Sequence, residues 1–334
     1  MDLAMPQAQI SAVRTFVPEA LLTNQDLEKI VDTTDQWIVA RTGIKRRHIA
    51  EKNLATSDLA TEAAKNLLSQ NGINPEDIEL IIVATITPDM LFPATACLVQ
   101  ANIGASNAWA FDLSAACSGF LFALQVGAQF IETGRHKNVL VIGADVMSSI
   151  VDYTDRQTCI IFGDGGGAVL LQPAEEGSRY GIIDFVHEVD GSNTEHLCLP
   201  GGGSRHPASH ETVDQHMHFV HQDGQFVFKF ATRKMAEVCN KLLQRHGLTG
   251  HDIDVFIPHQ ANLRIIQSAV EHIGIDMEKV IVNIDEYGNT TDATIPLAIE
   301  TAVNQKRLKK NDLVLMSCMG AGYSAGASLV RWAY

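Results

Sequence analysis

Three side chains in this sequence have types and positions suited to acyl chemistry: Cys117, His259 and Asn289. Cys117 sits in Phe111-Asp112-Leu113-Ser114-Ala115-Ala116-Cys117-Ser118-Gly119-Phe120. The apolar run 108–113 reads as a buried strand, and 120–131 as a helix apolar on nearly every side and therefore buried. A thiol at that junction faces unpaired backbone N–H groups and the positive end of a helix, which is expected to lower its pKa. The small neighbours Ser114, Ala115, Ala116, Ser118 and Gly119 leave room at the sulfur. Taken alone, the stretch fits a buried filler cysteine as well as a nucleophile. His259 follows the strand-like 255–257 in Pro258-His259-Gln260-Ala261-Asn262. Asn289 follows the strand-like 280–283 in Tyr287-Gly288-Asn289-Thr290-Thr291. Sheets of α/β proteins place ligands beyond their strand ends. A thiolate forms a thioester by acyl transfer. An imidazole N–H and a carboxamide N–H together hold a negative oxygen. No charged third member accompanies the histidine, so the set suits an enolate better than hydrolysis.

The elements that must position these groups alternate strands and helices in both halves of the chain. That pattern predicts two α/β units with mainly parallel sheets. A shift to Gly, Glu and Ser after Pro173 divides them into 1–174, with the nucleophile, and 175–334, with the histidine and asparagine. At 334 residues the chain exceeds one ordinary core, and 46% hydrophobic against 19% charged residues makes it globular. Its six cysteines form no CxxC pair, which predicts reduced thiols in a cytoplasmic protein without a zinc knuckle. The start, 1–10, lacks signal-peptide character, and no apolar run is long enough to span a membrane. A net charge of −14 disfavours nucleic acid and anionic membrane, so an anionic partner needs a local basic patch. The basic cluster Lys45-Arg46-Arg47-His48 fits a solvated loop or a phosphate-facing edge. The glycine run 163–167 lacks the Lys-Ser/Thr of a phosphate loop and reads as closely packed backbone. Seven histidines scattered over 187–221 do not converge as metal ligands should, so no metal is expected.

Several stretches resemble the β-ketoacyl-acyl-carrier-protein synthase III family of condensing enzymes. They are Asp35-Gln36-Trp37-Ile38-Val39-Ala40-Arg41-Thr42-Gly43-Ile44, the Cys117 stretch, Thr154-Asp155-Arg156, Ile161-Phe162-Gly163-Asp164-Gly165, Pro258 to Arg264 and Tyr287-Gly288-Asn289-Thr290. The resemblance implies a thiolase-like fold, two duplicated α/β halves in five α-β-α-β-α layers. It implies that Cys117 takes an acyl group from acyl-CoA, and that His259 and Asn289 stabilise the enolate formed as malonyl-acyl-carrier-protein loses CO2. It further implies Trp37, Arg41, Arg156 and Asn262 along CoA, and an oxyanion hole from the N–H groups of Cys117 and Ala321. Met319 is expected in the acyl pocket, and Phe92 reaches the neighbour's pocket across a homodimer. Arg264 and Lys229 are expected to meet the acidic carrier. No cofactor is implied, since acyl-CoA is a substrate.

Some residues depart from the family pattern. Its Phe-Gly-Gly-Gly reads Met319-Gly320-Ala321-Gly322, and Asp292 stands where small uncharged residues are usual, either capping the following helix or crowding the pocket. Cys318-Met319-Gly320-Ala321-Gly322 also resembles the second-cysteine motif of degradative thiolases, which requires Cys318 to face Cys117. A condensing enzyme of secondary metabolism and a non-catalytic acyl-binding scaffold are the remaining alternatives.

Overall fold

The computed structural model describes residues 6–334, so part of the N-terminal stretch lies outside the described residues. One sheet orders its strands Ala8–Phe16, Gly165–Pro173, Val139–Asp145, Leu80–Ala84 and Trp109–Leu113. The other orders Val255–Pro258, Leu313–Gly320, Ser324–Arg331 and Gly181–Glu188. Side chains alternate between the two faces of these strands. Leu80, Ile82 and Ala84 join one cluster, with Val314 and Met316 of the other sheet, while Ile81 and Val83 join a second. A strand buried on both faces needs an apolar run, not alternation, and that is what the sequence supplies.

Helices Gly119–Glu132 and Thr294–Asn304 fill the layer between the sheets. Helices Thr56–Asn71 and Thr95–Ile103 cover the outside of the first sheet, and Gly224–Arg245 and Leu263–Ile273 that of the second. The five layers expected from the resemblance are present. The glycine run is tight backbone: a Cβ on Gly167 would lie 2.6 Å from the Pro296 Cβ, and one on Gly166 2.7 Å from the Leu59 carbonyl oxygen.

Two expectations fail. Pairing is mixed, with parallel neighbours only among Val139–Asp145, Leu80–Ala84 and Trp109–Leu113 and between Val255–Pro258 and Leu313–Gly320. Leu313–Gly320 and Ser324–Arg331 are joined by three residues, which permits only an antiparallel hairpin. The expected strand 280–283 is reduced to a single bridge at Val280. The buried Gln260 amide replaces the ladder: it donates to the Ile281 carbonyl (3.1 Å) and accepts the Asn283 N–H (3.2 Å).

The central helices are entered alike. A short 3-10 turn, Ala116–Ser118 or Thr291–Ala293, precedes each, and its first residue has φ 47°. Left-handed backbone is uncommon for alanine and strained for β-branched threonine. The turns place Cys117 and Asp292 at matching positions in the two halves.

Candidate active site

The turn at Ala116 leaves Cys117 at the entrance of its helix, 9% exposed, in the wall of a cavity of about 450 Å³. His259, Asn289, Met319 and Ala321 line the same cavity. The Cys117 and Ala321 N–H groups donate to no backbone acceptor among the described residues. Gly320 packs on the helix start, where an added Cβ would lie 2.8 Å from the Cys117 nitrogen. The resting thiol is not lowered as expected. Burial pushes it well above its ordinary value, and the charge on nearby Asp145 pushes the same way. The residue's own backbone N–H works the other way, and burial is the larger effect, so the resting sulfur is a neutral thiol.

His259 is 1% exposed, and its N–H donates to the Ser317 carbonyl at 2.7 Å. Its Nδ1 lies 2.6 Å from Thr294 Oγ1, while its Nε2 has no partner. Burial lowers its pKa to about 3, so the ring is neutral at physiological pH. The Asn289 N–H donates to the Ile161 carbonyl (2.9 Å) and its carbonyl accepts the Gly163 N–H (3.0 Å). Its Oδ1 accepts the Thr291 N–H at 2.9 Å, which fixes the amide orientation and leaves Nδ2 as donor. Sequence reasoning missed three groups behind this arrangement. Thr291 Oγ1 donates to buried Asp145, which also accepts from Thr85, the Ile86 N–H and Thr87. Thr294 supports the histidine. The one available signal was Asp145 itself, a carboxylate ending an apolar strand.

Asp292 does not cap the helix that follows it. Its Oδ1 accepts the Phe120 N–H at 2.9 Å, so it caps the Cys117 helix, which has no side-chain cap of its own. A cap of this kind contributes about 1 kcal/mol. Burial, then the neighbouring Asp145, push the Asp292 carboxyl well above the usual range, making it the neutral member of the pair. Ala321 is not in left-handed backbone; Gly322 (φ 71°) and Tyr323 (φ 47°) are, so alanine fits at 321. Cys318 is fully buried in the central core and does not line the cavity, which removes the feature that suggested thiolase chemistry.

Outside the cavity, the Arg41 and Arg156 guanidinium carbons lie 5.3 and 5.0 Å from the Trp37 ring centroid. Asn262 Nδ2 donates to the Arg41 carbonyl at 3.0 Å, tying helix Asp35–Thr42 to helix Leu263–Ile273. Arg264 and Lys229 are on adjoining helices, with Arg264 5.4 Å above the Phe228 ring. Phe92 is 84% exposed and lines no part of this chain's cavity. The basic cluster is neither free loop nor phosphate edge: Arg47 is buried, donating to the Leu22 and Ile160 carbonyls and Asn24, while Lys45 and Arg46 pair with Asp285 and Glu286. The His-rich region disperses, with His196 stacked on Phe226 and His216 3.0 Å from Asp152. Among the described residues no group of three or more metal-binding side chains converges, and no helix is long and apolar enough to cross a membrane.

The family models for 3-oxoacyl-[acyl-carrier-protein] synthase III and its C-terminal region match residues 111–191 and 243–332. The chain is 58% identical over 328 residues to a beta-ketoacyl-[acyl-carrier-protein] synthase III of Koribacter versatilis, covering 98% of each. It is 58% identical over 331 residues to one of Solibacter usitatus, covering 99% of this chain and 100% of that one. The crystal structure of 3-oxoacyl-[acyl-carrier-protein] synthase III from Aquifex aeolicus superposes with a TM-score of 0.90 at 44% identity, covering 97% of this chain and 100% of that one. With relatives of that identity along nearly its whole length, and a thiolase-like fold carrying the cysteine, histidine and asparagine on one cavity, this chain belongs to the β-ketoacyl-acyl-carrier-protein synthase III family of acyl-transferring condensing enzymes.

Proposed function

We propose that this enzyme joins an acyl-CoA starter to malonyl-acyl-carrier-protein by decarboxylative Claisen condensation, giving a 3-oxoacyl-acyl-carrier-protein and initiating fatty acid synthesis. Cys117 gives up its proton and its sulfur attacks the acyl-CoA carbonyl. The C–S bond to CoA breaks, and CoA leaves as a thiol carrying that proton. The carbonyl oxygen becomes negative within reach of the Cys117 and Ala321 N–H groups. Malonyl-acyl-carrier-protein then loses CO2, and the electron pair of the broken C–C bond forms an enolate. His259 Nε2 and Asn289 Nδ2 hold the enolate oxygen. Its carbon attacks the acyl-Cys117 carbonyl and expels the Cys117 sulfur, which takes up a proton from solvent to restore the resting thiol.

The observation that carries this reading is the cavity shared by Cys117, His259 and Asn289, with the histidine neutral and the asparagine amide turned to donate. A neutral imidazole suits donation to an enolate and does not need to be regenerated as a base between turnovers. Trp37 and Arg156 flank the CoA adenine, Arg41 and Asn262 lie along its path, and Arg264 and Lys229 meet the carrier. Met319 bounds the acyl pocket. The halves 1–174 and 175–334 form one subunit of a cytoplasmic homodimer. The exposed Leu91 and Phe92 and the edge strand Trp109–Leu113, with Trp109 half exposed, support a second copy at that face, where Phe92 enters the partner's pocket.

The test is CO2 release from malonyl-acyl-carrier-protein in the presence of acyl-CoA. The wild type forms a 3-oxoacyl product, and H259A and N289A each lose about 100- to 1,000-fold. Condensation of two acetyl-CoA molecules without CO2 release contradicts the assignment.

A further inference from the structure

One hydroxyl beneath the cavity has two polar neighbours, a carbonyl and a ring nitrogen whose role depends on the tautomer. Thr294 Oγ1 lies 2.6 Å from His259 Nδ1 and 2.9 Å from the Thr291 carbonyl oxygen. A hydroxyl has a single hydrogen to give. The Thr291 carbonyl already accepts the Thr294 backbone N–H, whereas Thr294 is the one hydrogen-bonding partner of His259 Nδ1 among the described residues. The hydroxyl hydrogen is assigned to Nδ1, at the shorter of its two distances, because the opposite arrangement, Nδ1–H to Oγ1 and Oγ1–H to the Thr291 carbonyl, leaves a bare Nε2 lone pair facing the enolate oxygen. A neutral imidazole carries one hydrogen, so accepting at Nδ1 places it on Nε2, the nitrogen left without a partner.

We propose that Thr294 is a positioning residue that selects the His259 tautomer, so that the ring presents an N–H, and not a lone pair, to the substrate. The same turn acts on the other donor. The Thr291 N–H occupies Asn289 Oδ1, so the amide too has only hydrogens to offer. Residues 291–294 thus commit the acceptor atoms of both side chains and leave the donors for the enolate oxygen. Burial keeps the ring neutral, which makes the choice of tautomer decisive; a protonated ring would donate from both nitrogens whatever its neighbour. The inference rests on the reading of His259 and Asn289 as the enolate's donors.

Kinetics and spectroscopy test it together. T294V lowers kcat for CO2 release about ten- to a hundredfold, the scale for loss of a group that orients a reacting residue. KM for malonyl-acyl-carrier-protein and acylation of Cys117 by acyl-CoA stay near wild type, and T294S restores the rate. A merely structural role moves acylation and CO2 release together, and that result overturns the proposal. Nitrogen NMR of histidine-labelled wild type, with His259 assigned through H259Q, shows Nε2 protonated and Nδ1 bare; a hydrogen on Nδ1 overturns the proposal even if T294V does not fold. If H259A abolishes CO2 release and T294V does not affect it, the tautomer inference alone falls. If H259A leaves CO2 release intact, the assignment of the site falls with it.

Discussion

Replacing Asp292 by asparagine tests whether this carboxyl is neutral in the folded enzyme. Asp292 is 1% exposed, its Oδ1 accepts the Phe120 N–H, and its Oδ2 has no donor. Asp145 beside it receives donors from Thr85, Ile86, Thr87, Thr291 and the Asp292 N–H, and is the better placed of the two to stay charged. The other titratable groups that face Asp292 are Cys117 and Cys318. Over the pH range between the ordinary value of 3.8 and the raised native value, folded Asp292 holds a proton that the unfolded chain has released. Its contribution is fully present below the ordinary value and falls as pH rises through that range, by about 1.4 kcal/mol per pH unit. The side-chain amide in D292N has no proton to release and keeps an oxygen for the Phe120 N–H. D292N therefore gains on wild type as pH rises from about 5 to 7, by up to about 1.4 kcal/mol per pH unit while Asp292 keeps its proton in the fold. Urea denaturation of both proteins across that window measures the difference, and Cys117 acylation in D292N reports an intact helix entrance. A stability difference that stays flat with pH means that Asp292 is ionised in the fold, which refutes the reasoning.

Three further outcomes follow from the geometry. W37A removes the indole under Arg156 and raises KM for acyl-CoA about 5- to 150-fold with kcat little changed, since stacking a base on an aromatic ring contributes about 1–3 kcal/mol. R264E raises KM for malonyl-acyl-carrier-protein about tenfold at low salt, less at high salt, and leaves acylation by acyl-CoA unchanged. G167A forces a methyl group onto Pro296 and costs about 1–3 kcal/mol in chemical denaturation.

Much of the layered fold was legible because burial on both faces of a strand leaves a local mark, the apolar run, as at 80–84 and 139–143. Cys117, His259 and Asn289 were legible because each follows an apolar strand-like run. Pairing direction was not, because it depends on which distant strands meet. The failed strand at 280–283 depended on one side chain, Gln260, whose reach no periodicity shows. Asp292 was misread for a related reason: its partner, the Phe120 N–H, lies in the other half of the chain. The basic cluster hid Arg47, buried against acceptors at Leu22, Asn24 and the distant Ile160. The thiol's resting state followed from burial, the largest influence on it and a property of the assembled layers.

The central claim is that Cys117 accepts the acyl group. Intact mass after incubation with acetyl-CoA tests it most directly. One acetyl group per chain, absent in C117S and lost when malonyl-acyl-carrier-protein is added, is the predicted result. No adduct, or an adduct that persists in C117S, contradicts it.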